Sequence, residues 1–415
     1  NTTLSRRSLL AYGLFGLPLA FAALPIYVHV PKLYGDTLGM SLGLVGAVLL
    51  VARLADAAID PVLGWWSDRL GRRRLMMAAA LPLLAIGMVG LLDPPASWVG
   101  GGWLALMLTL VYLGFSIASI NYYAWGAELS DARHERTRVT AVREGFGLVG
   151  VITAAVVPGH IGNDLAEGLA WVALAFVPVL LVSAGVTFLG APAAPIRLPA
   201  LQPLKPALRS ALGNDAFRHL LAVFAANGIA AAIPATLVLF FVADVLRLEP
   251  YSGLFLGLYF LTAVLALPLW VALSKRRGKV VAWLGGMALA VVVFLWTFFL
   301  GEGDLIAFAV ICAASGAALG ADLALPPSML ADAIDSDGRA PEGARSGAYF
   351  GLWNLVTKLN LALAAGLALP LVSWLGYVPG GQTGLGGLAA VYALLPVCLK
   401  LFAAGLLWRR RRFFE

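Results

Sequence analysis

The chain has 415 residues, of which 61% are hydrophobic and only 12% are charged. Soluble chains carry about 25% charged residues, so this composition excludes a soluble enzyme, a nucleic-acid-binding domain and a disordered tail. The formal net charge of +7 sits in short Lys/Arg clusters between apolar runs, the pattern of cytoplasmic loops in a polytopic membrane protein.

Apolar runs predict spans at 8–31, 40–66, 75–92, 102–128, 141–161 and 168–190, then at 216–245, 251–273, 280–300, 304–331, 345–375 and 386–408. Each is long enough for a hydrocarbon core that takes about 20 residues to cross. Arg6-Arg7 ahead of the first run imitates a secretory leader, but the run is too long for one and is read as the first span. Residues 191–214 open on a Pro/Ala-rich stretch and read as a cytoplasmic linker between halves 1–190 and 215–415. Arg69, Arg72 to Arg74, Lys275 to Arg277 and Arg409 to Arg412 fall on one side, against little beyond Lys32 and Arg247 on the other. That bias places both termini in the cytoplasm, in a membrane of the bacterial inner-membrane type. The halves also echo one another: Gly71-Arg72 and Gly278-Lys279 lie 207 residues apart, as do Arg138 and Arg345. Paired six-helix repeats are a common build of secondary transporters.

Cys312 and Cys398 lie inside apolar runs, and His29, His134, His160 and His219 have no metal-ligand spacing. No disulfide, metal or organic cofactor is expected, and no catalytic cluster points to an enzyme.

The first stretch with chemistry is Arg53-Leu-Ala-Asp56-Ala-Ala-Ile-Asp60-Pro61. Asp56 and Asp60 are four apart and share a helix face, with Arg53 one turn before Asp56. A charge at a span centre costs roughly 2.5–3.5 kcal/mol on insertion scales. Two carboxylates there call for a coupling cation, or for an Arg53–Asp56 pair that merely knits helices. Pro61 removes a backbone donor beside Asp60.

The next stretch, Gly64-Trp-Trp-Ser-Asp68-Arg69-Leu-Gly71-Arg72-Arg73-Arg74, resembles the signature of the major facilitator superfamily. Asp56-Ala-Ala-Ile-Asp60-Pro61, Glu128-Leu-Ser-Asp131, Met329-Leu-Ala-Asp332-Ala-Ile-Asp335 and Tyr349-Phe-Gly-Leu-Trp-Asn354 with Lys358 resemble the glycoside–pentoside–hexuronide:cation symporters. This resemblance implies an all-α integral membrane protein with a twelve-transmembrane-helix major facilitator fold. It also implies alternating access, and a lipid bilayer and a small-molecule substrate as partners of a monomer that binds no nucleic acid. It further implies that Asp56 and Asp60, with Asn121, serve the coupling cation, and that Asn121, Trp125, Arg143 and Lys358 contact substrate. Asp68, Arg69, Arg72, Asp131, Arg138, Asp335 and Arg345 are then gating residues.

Departures from the family pattern bear on the solute. No acid stands near Pro18, and Asn121 and Ala118 replace oxygen-bearing side chains that family members present, which argues against a galactoside. Asp322 is an extra carboxylate: a second proton group, a substrate contact, or a partner of Lys358. Glu144 is expected to pair locally with Arg143. Losing oxygens at Ile59, Ala118 and Asn121 favours a proton over sodium as coupling ion. The expected function is cation-coupled symport of a small polar solute such as a glycoside or other sugar derivative. A lysolipid or amphiphile carrier, or an exporter, of the same fold is the alternative.

Overall fold

Among the residues described by the computed structural model, 4–129, 133–192, 208–209, 211–335 and 346–414, twelve helices are long and apolar enough to cross a bilayer. They are α1 (Arg6–Thr37), α2 (Leu42–Leu70), α3 (Arg73–Leu92), α4 (Gly101–Glu128), α5 (Arg133–Val156) and α6 (Leu165–Gly190). The remainder are α7 (Asp215–Val245), α8 (Ser252–Arg277), α9 (Lys279–Thr297), α10 (Leu305–Asp335), α11 (Ser346–Trp374) and α12 (Leu385–Arg409). Helices α2, α5 and α10 begin or end beyond the apolar runs. Hydropathy marks only the hydrocarbon-depth part of a helix, whereas backbone hydrogen bonding continues into the polar ends.

The chain divides into two compact units, Asn1–Ala200 and Leu201–Glu415. Most of the expected linker, 191–214, lies outside the described residues. In the first unit α1 packs on α5, α2 on α4, and α3 on both α4 and α6. In the second, α7 packs on α11, α8 on α10, and α9 on both α10 and α12. Adding six to each label turns one set of pairs into the other, so the repeat seen in the sequence is a repeat of packing.

The duplication reaches the backbone. α1 and α7 both close on a π turn, Leu33–Thr37 and Phe241–Val245. In these turns the Leu38 N–H reaches the Leu33 carbonyl at 2.9 Å, and the Leu246 N–H reaches Phe241 at 3.1 Å. α2 starts on Ser41, whose hydroxyl accepts from the Leu44 N–H at 3.3 Å. It runs unbroken through Pro61 to Gly71, which at φ +59° adopts the left-handed conformation that glycine tolerates best. α8 likewise runs through Pro268 to Gly278 at φ +87°.

Lipid offers no hydrophobic drive for helices to associate, so small residues that let backbones approach carry the packing. A Cβ on Gly114 of α4 would stand 2.9 Å from the Leu84 nitrogen of α3, and one on Gly320 of α10 would stand 2.7 Å from the Ala263 carbonyl oxygen of α8. Gly114→Leu is therefore expected to lower stability by about 1–3 kcal/mol through overpacking. Gly405→Leu on α12, where an added Cβ meets open space, is expected to leave it unchanged. Thermal unfolding in detergent distinguishes them, and equal melting temperatures for both variants would contradict the packing account.

Candidate functional site

Among the described residues of the first unit, two polar groupings contain the side chains singled out in the sequence. Along α2, Arg53 Nη1 lies 3.3 Å from Asp56 Oδ2, one helical turn away, and the Ser116 hydroxyl of α4 donates to Asp56 Oδ1 at 2.9 Å. The guanidinium also sits 4.3 Å over the Tyr112 ring. Arg53 and Asp56 are only 8% and 7% exposed. Asp60, one turn further along the same face, is half-buried. The Arg53–Asp56 ion pair of the sequence reading is thus present, within α2 itself, with a second carboxylate one turn away.

The second gathering lies near the α2–α3 junction. Asn121 is buried, accepts from the Ser67 hydroxyl at 2.7 Å and donates to the Ile117 carbonyl at 2.8 Å, while Arg73 donates to Ser67. Trp125 is buried too. Its indole N–H donates to the Pro192 carbonyl at 3.0 Å, Arg74 stacks on its ring at 4.7 Å, and Tyr12 meets it edge-on. Arg143 pairs with Glu144 at 2.7 Å, as expected, and lies 4.3 Å over Tyr123. In this conformation Asn121 and Trp125 therefore bind protein groups.

The second unit corrects one of the three readings of Asp322, the pair with Lys358. Its carboxylate pairs with Lys400 of α12, Nζ to Oδ2 at 3.0 Å, and not with Lys358. Oδ1 accepts from Asn227 Nδ2 of α7 at 2.9 Å and from the Trp283 indole of α9 at 2.8 Å. Lys400 also donates to Asn227 Oδ1 at 2.8 Å. The reason is placement: Asp322 projects from α10 toward the helices its own unit packs around it, and α12 carries a lysine at that level. Lys358 on α11 is half-buried, and Asn360 nearby donates to the Phe224 carbonyl at 3.4 Å.

Sequence reasoning missed Lys400, Asn227, Trp283 and Ser116. Lys400 had a legible signal, as a lone cation inside the apolar run 386–408. Of the expected gating residues, Arg72 is exposed at the start of α3. Asp131 and Arg345 lie outside the described residues, as do the side chains of Asp68, Arg69, Arg138 and Asp335. Among the described residues no group of three or more His, Cys, Asp or Glu side chains could hold a metal ion.

Removing one partner of a buried pair leaves an uncompensated charge, at a cost of about 3–5 kcal/mol. Arg53→Met is expected to lose that much stability, and Arg53→Met/Asp56→Asn to recover most of it. Melting temperatures of the purified variants check this; a double variant no more stable than the single would contradict the pairing.

Comparison with known proteins gives a consistent picture. Residues 9–411 match the family model described as MFS/sugar transport protein. An uncharacterized symporter of Synechocystis is 23% identical, over 93% of this chain and 89% of that one. A Salmonella typhimurium protein described as a candidate 2,3-dihydroxypropane-1-sulfonate exporter is 24% identical, over 95% and 91%. Among solved structures, a bacterial homologue of the lysosomal transporter Spinster aligns over 98% of this chain and 97% of that one, with TM-score 0.73 and 16% identity. A D-xylose–proton symporter aligns over 97% and 96%, with TM-score 0.70 and 15% identity.

Proposed function

The chain belongs to the MFS/sugar transport protein family, and from that premise we propose that it is a cation-coupled symporter of a small polar solute, a glycoside or other sugar derivative. It is a multi-pass membrane transporter and not an enzyme. In this reading it works by alternating access as a monomer in an inner, plasma-type membrane, and the Lys/Arg bias supports cytoplasmic termini.

One observation carries the reading: a membrane helix holds a matched Arg53–Asp56 pair and a second carboxylate, Asp60, on the same face. Asp56 already receives a guanidinium and a hydroxyl. Asp60, one turn further along the same face, is the carboxylate this reading assigns to the cation. Two like charges a helical turn apart repel one another, and a cation bound between them relieves that repulsion. If cation and solute favour the same state, each must raise the other's affinity by the same factor.

The proton is the favoured ion. Sodium needs several oxygen ligands held together, whereas a proton needs one carboxylate. Ile59 and Ala118 bring no side-chain oxygen, and the Asn121 amide oxygen is engaged by Ser67. The similarity to a candidate 2,3-dihydroxypropane-1-sulfonate exporter favours a second reading, efflux of a small hydroxylated anion by the same machinery.

Asp60→Asn, and Asp56→Asn, are expected to abolish gradient-driven accumulation in proteoliposomes while energy-independent counterflow continues. Concentrative uptake by the Asp56→Asn/Asp60→Asn variant at the wild-type level would refute the assignment.

A further inference from the structure

The second unit contains a buried polar cluster that cation coupling through α2 does not use. Asp322, Lys400, Asn227 and Trp283 join α10, α12, α7 and α9. Stability gives little reason for it: replacing a buried ion pair with apolar side chains is often neutral or stabilising. Polar groups inside a membrane bundle are more often sites of function.

The hydrogen-bond inventory identifies what the cluster lacks. A carboxylate has about four acceptor positions and an ammonium three donors. Asp322 receives three N–H groups, two on Oδ1 and one on Oδ2, and Lys400 gives two, to Asp322 and Asn227. Among the described residues, one acceptor position of the carboxylate and one donor of the ammonium take no protein partner. Lys400 is the more deeply buried, at 4% side-chain exposure against 12% for Asp322, so the cluster opens at the carboxylate.

The backbone adds a second acceptor at the same residue. α10 continues through Pro326 and Pro327, the residues four and five positions after Asp322. Neither has an N–H, so the Asp322 carbonyl has neither an α-type nor a π-type donor within its helix. The Asp322 carbonyl is thereby open to a donor from outside the helix.

The charges select the ligand. Asp322 disfavours an anionic group and Lys400 a cationic one, whereas a neutral hydroxyl can donate to the carboxylate. We propose that this cluster is a solute-hydroxyl site, with Asp322 making the contact and Lys400 and Asn227 as positioning residues that fix its orientation. The proposal rests on the transporter reading and assigns part of solute recognition to the second unit alone.

The test uses the full chain in detergent and in proteoliposomes, with D-xylose and 2,3-dihydroxypropane-1-sulfonate as hydroxylated probes and L-alanyl-L-alanine as the hydroxyl-free one. A hydroxylated probe is expected to raise the wild-type melting temperature and to exchange in counterflow. Asp322→Asn, and the charge-balanced Asp322→Asn/Lys400→Met, should bind it at least about tenfold more weakly, as loss of a hydrogen bond to a charged group implies. The ligand-free melting temperature of the double variant reports folding separately. Should the neutral variants fail to purify, Asp322→Glu serves: a displaced carboxylate weakens hydroxyl binding, while a purely structural pair leaves it unchanged. Wild-type affinity in the double variant, or in Asp322→Glu, overturns the proposal. So does a wild-type protein stabilised by no hydroxylated probe. Counterflow needs no cation gradient, so exchange of the dipeptide alone would remove the hydroxyl site and leave the transporter reading standing, whereas exchange of no probe would remove both.

Discussion

A charge placed at hydrocarbon depth must be matched where it lies, and that constraint organises this protein. Arg53 and Asp56 meet on α2, with Ser116 and Tyr112 of α4 closing around them. Asp322 and Lys400 meet from α10 and α12, with Asn227 and Trp283 filling the remaining positions. In each case the match is made inside one six-helix unit. Such pairs are sensitive to the loss of either member, because the survivor is left in a medium that cannot solvate it.

The two units share a frame but not a chemistry. Their helix pairs, the π turns of α1 and α7, and the prolines at 61 and 268 repeat. The acids of the second helix do not: the residue 207 positions after Asp56 is Ala263, whose backbone carbonyl packs close to Gly320. The first unit carries Asp56 and Asp60 on its second helix, and the second unit carries Asp322 on its fourth. Duplicated packing thus holds two different polar clusters, the first proposed for a mobile cation and the second for a solute hydroxyl.

Much of this was legible in the sequence, for reasons that differ by residue. The spans could be read because a run of about 20 apolar residues has few alternatives. Asp56 and Asp60 stood out because a carboxylate there is costly and its helical spacing is fixed. Lys400 carried the same kind of signal, yet its partner was not legible: which lysine reaches Asp322 depends on how α12 packs against α7 and α9. Ser116 and Trp283 gave no signal, since hydroxyls and indoles are common in spans and acquire meaning only from the acceptor beside them. Asn121 and Trp125 were marked by resemblance alone, and their hydrogen bonds to Ser67 and Pro192 depend on close approach that no spacing rule encodes.

The central claim is that solute moves with a proton taken up by the acidic face of α2. The most direct measurement is solute-induced alkalinisation in a weakly buffered proteoliposome suspension, recorded at fixed pH with and without sodium. The account predicts alkalinisation on solute addition, of equal size in both media and absent in Asp60→Asn. Uptake that requires sodium and moves no protons would contradict it.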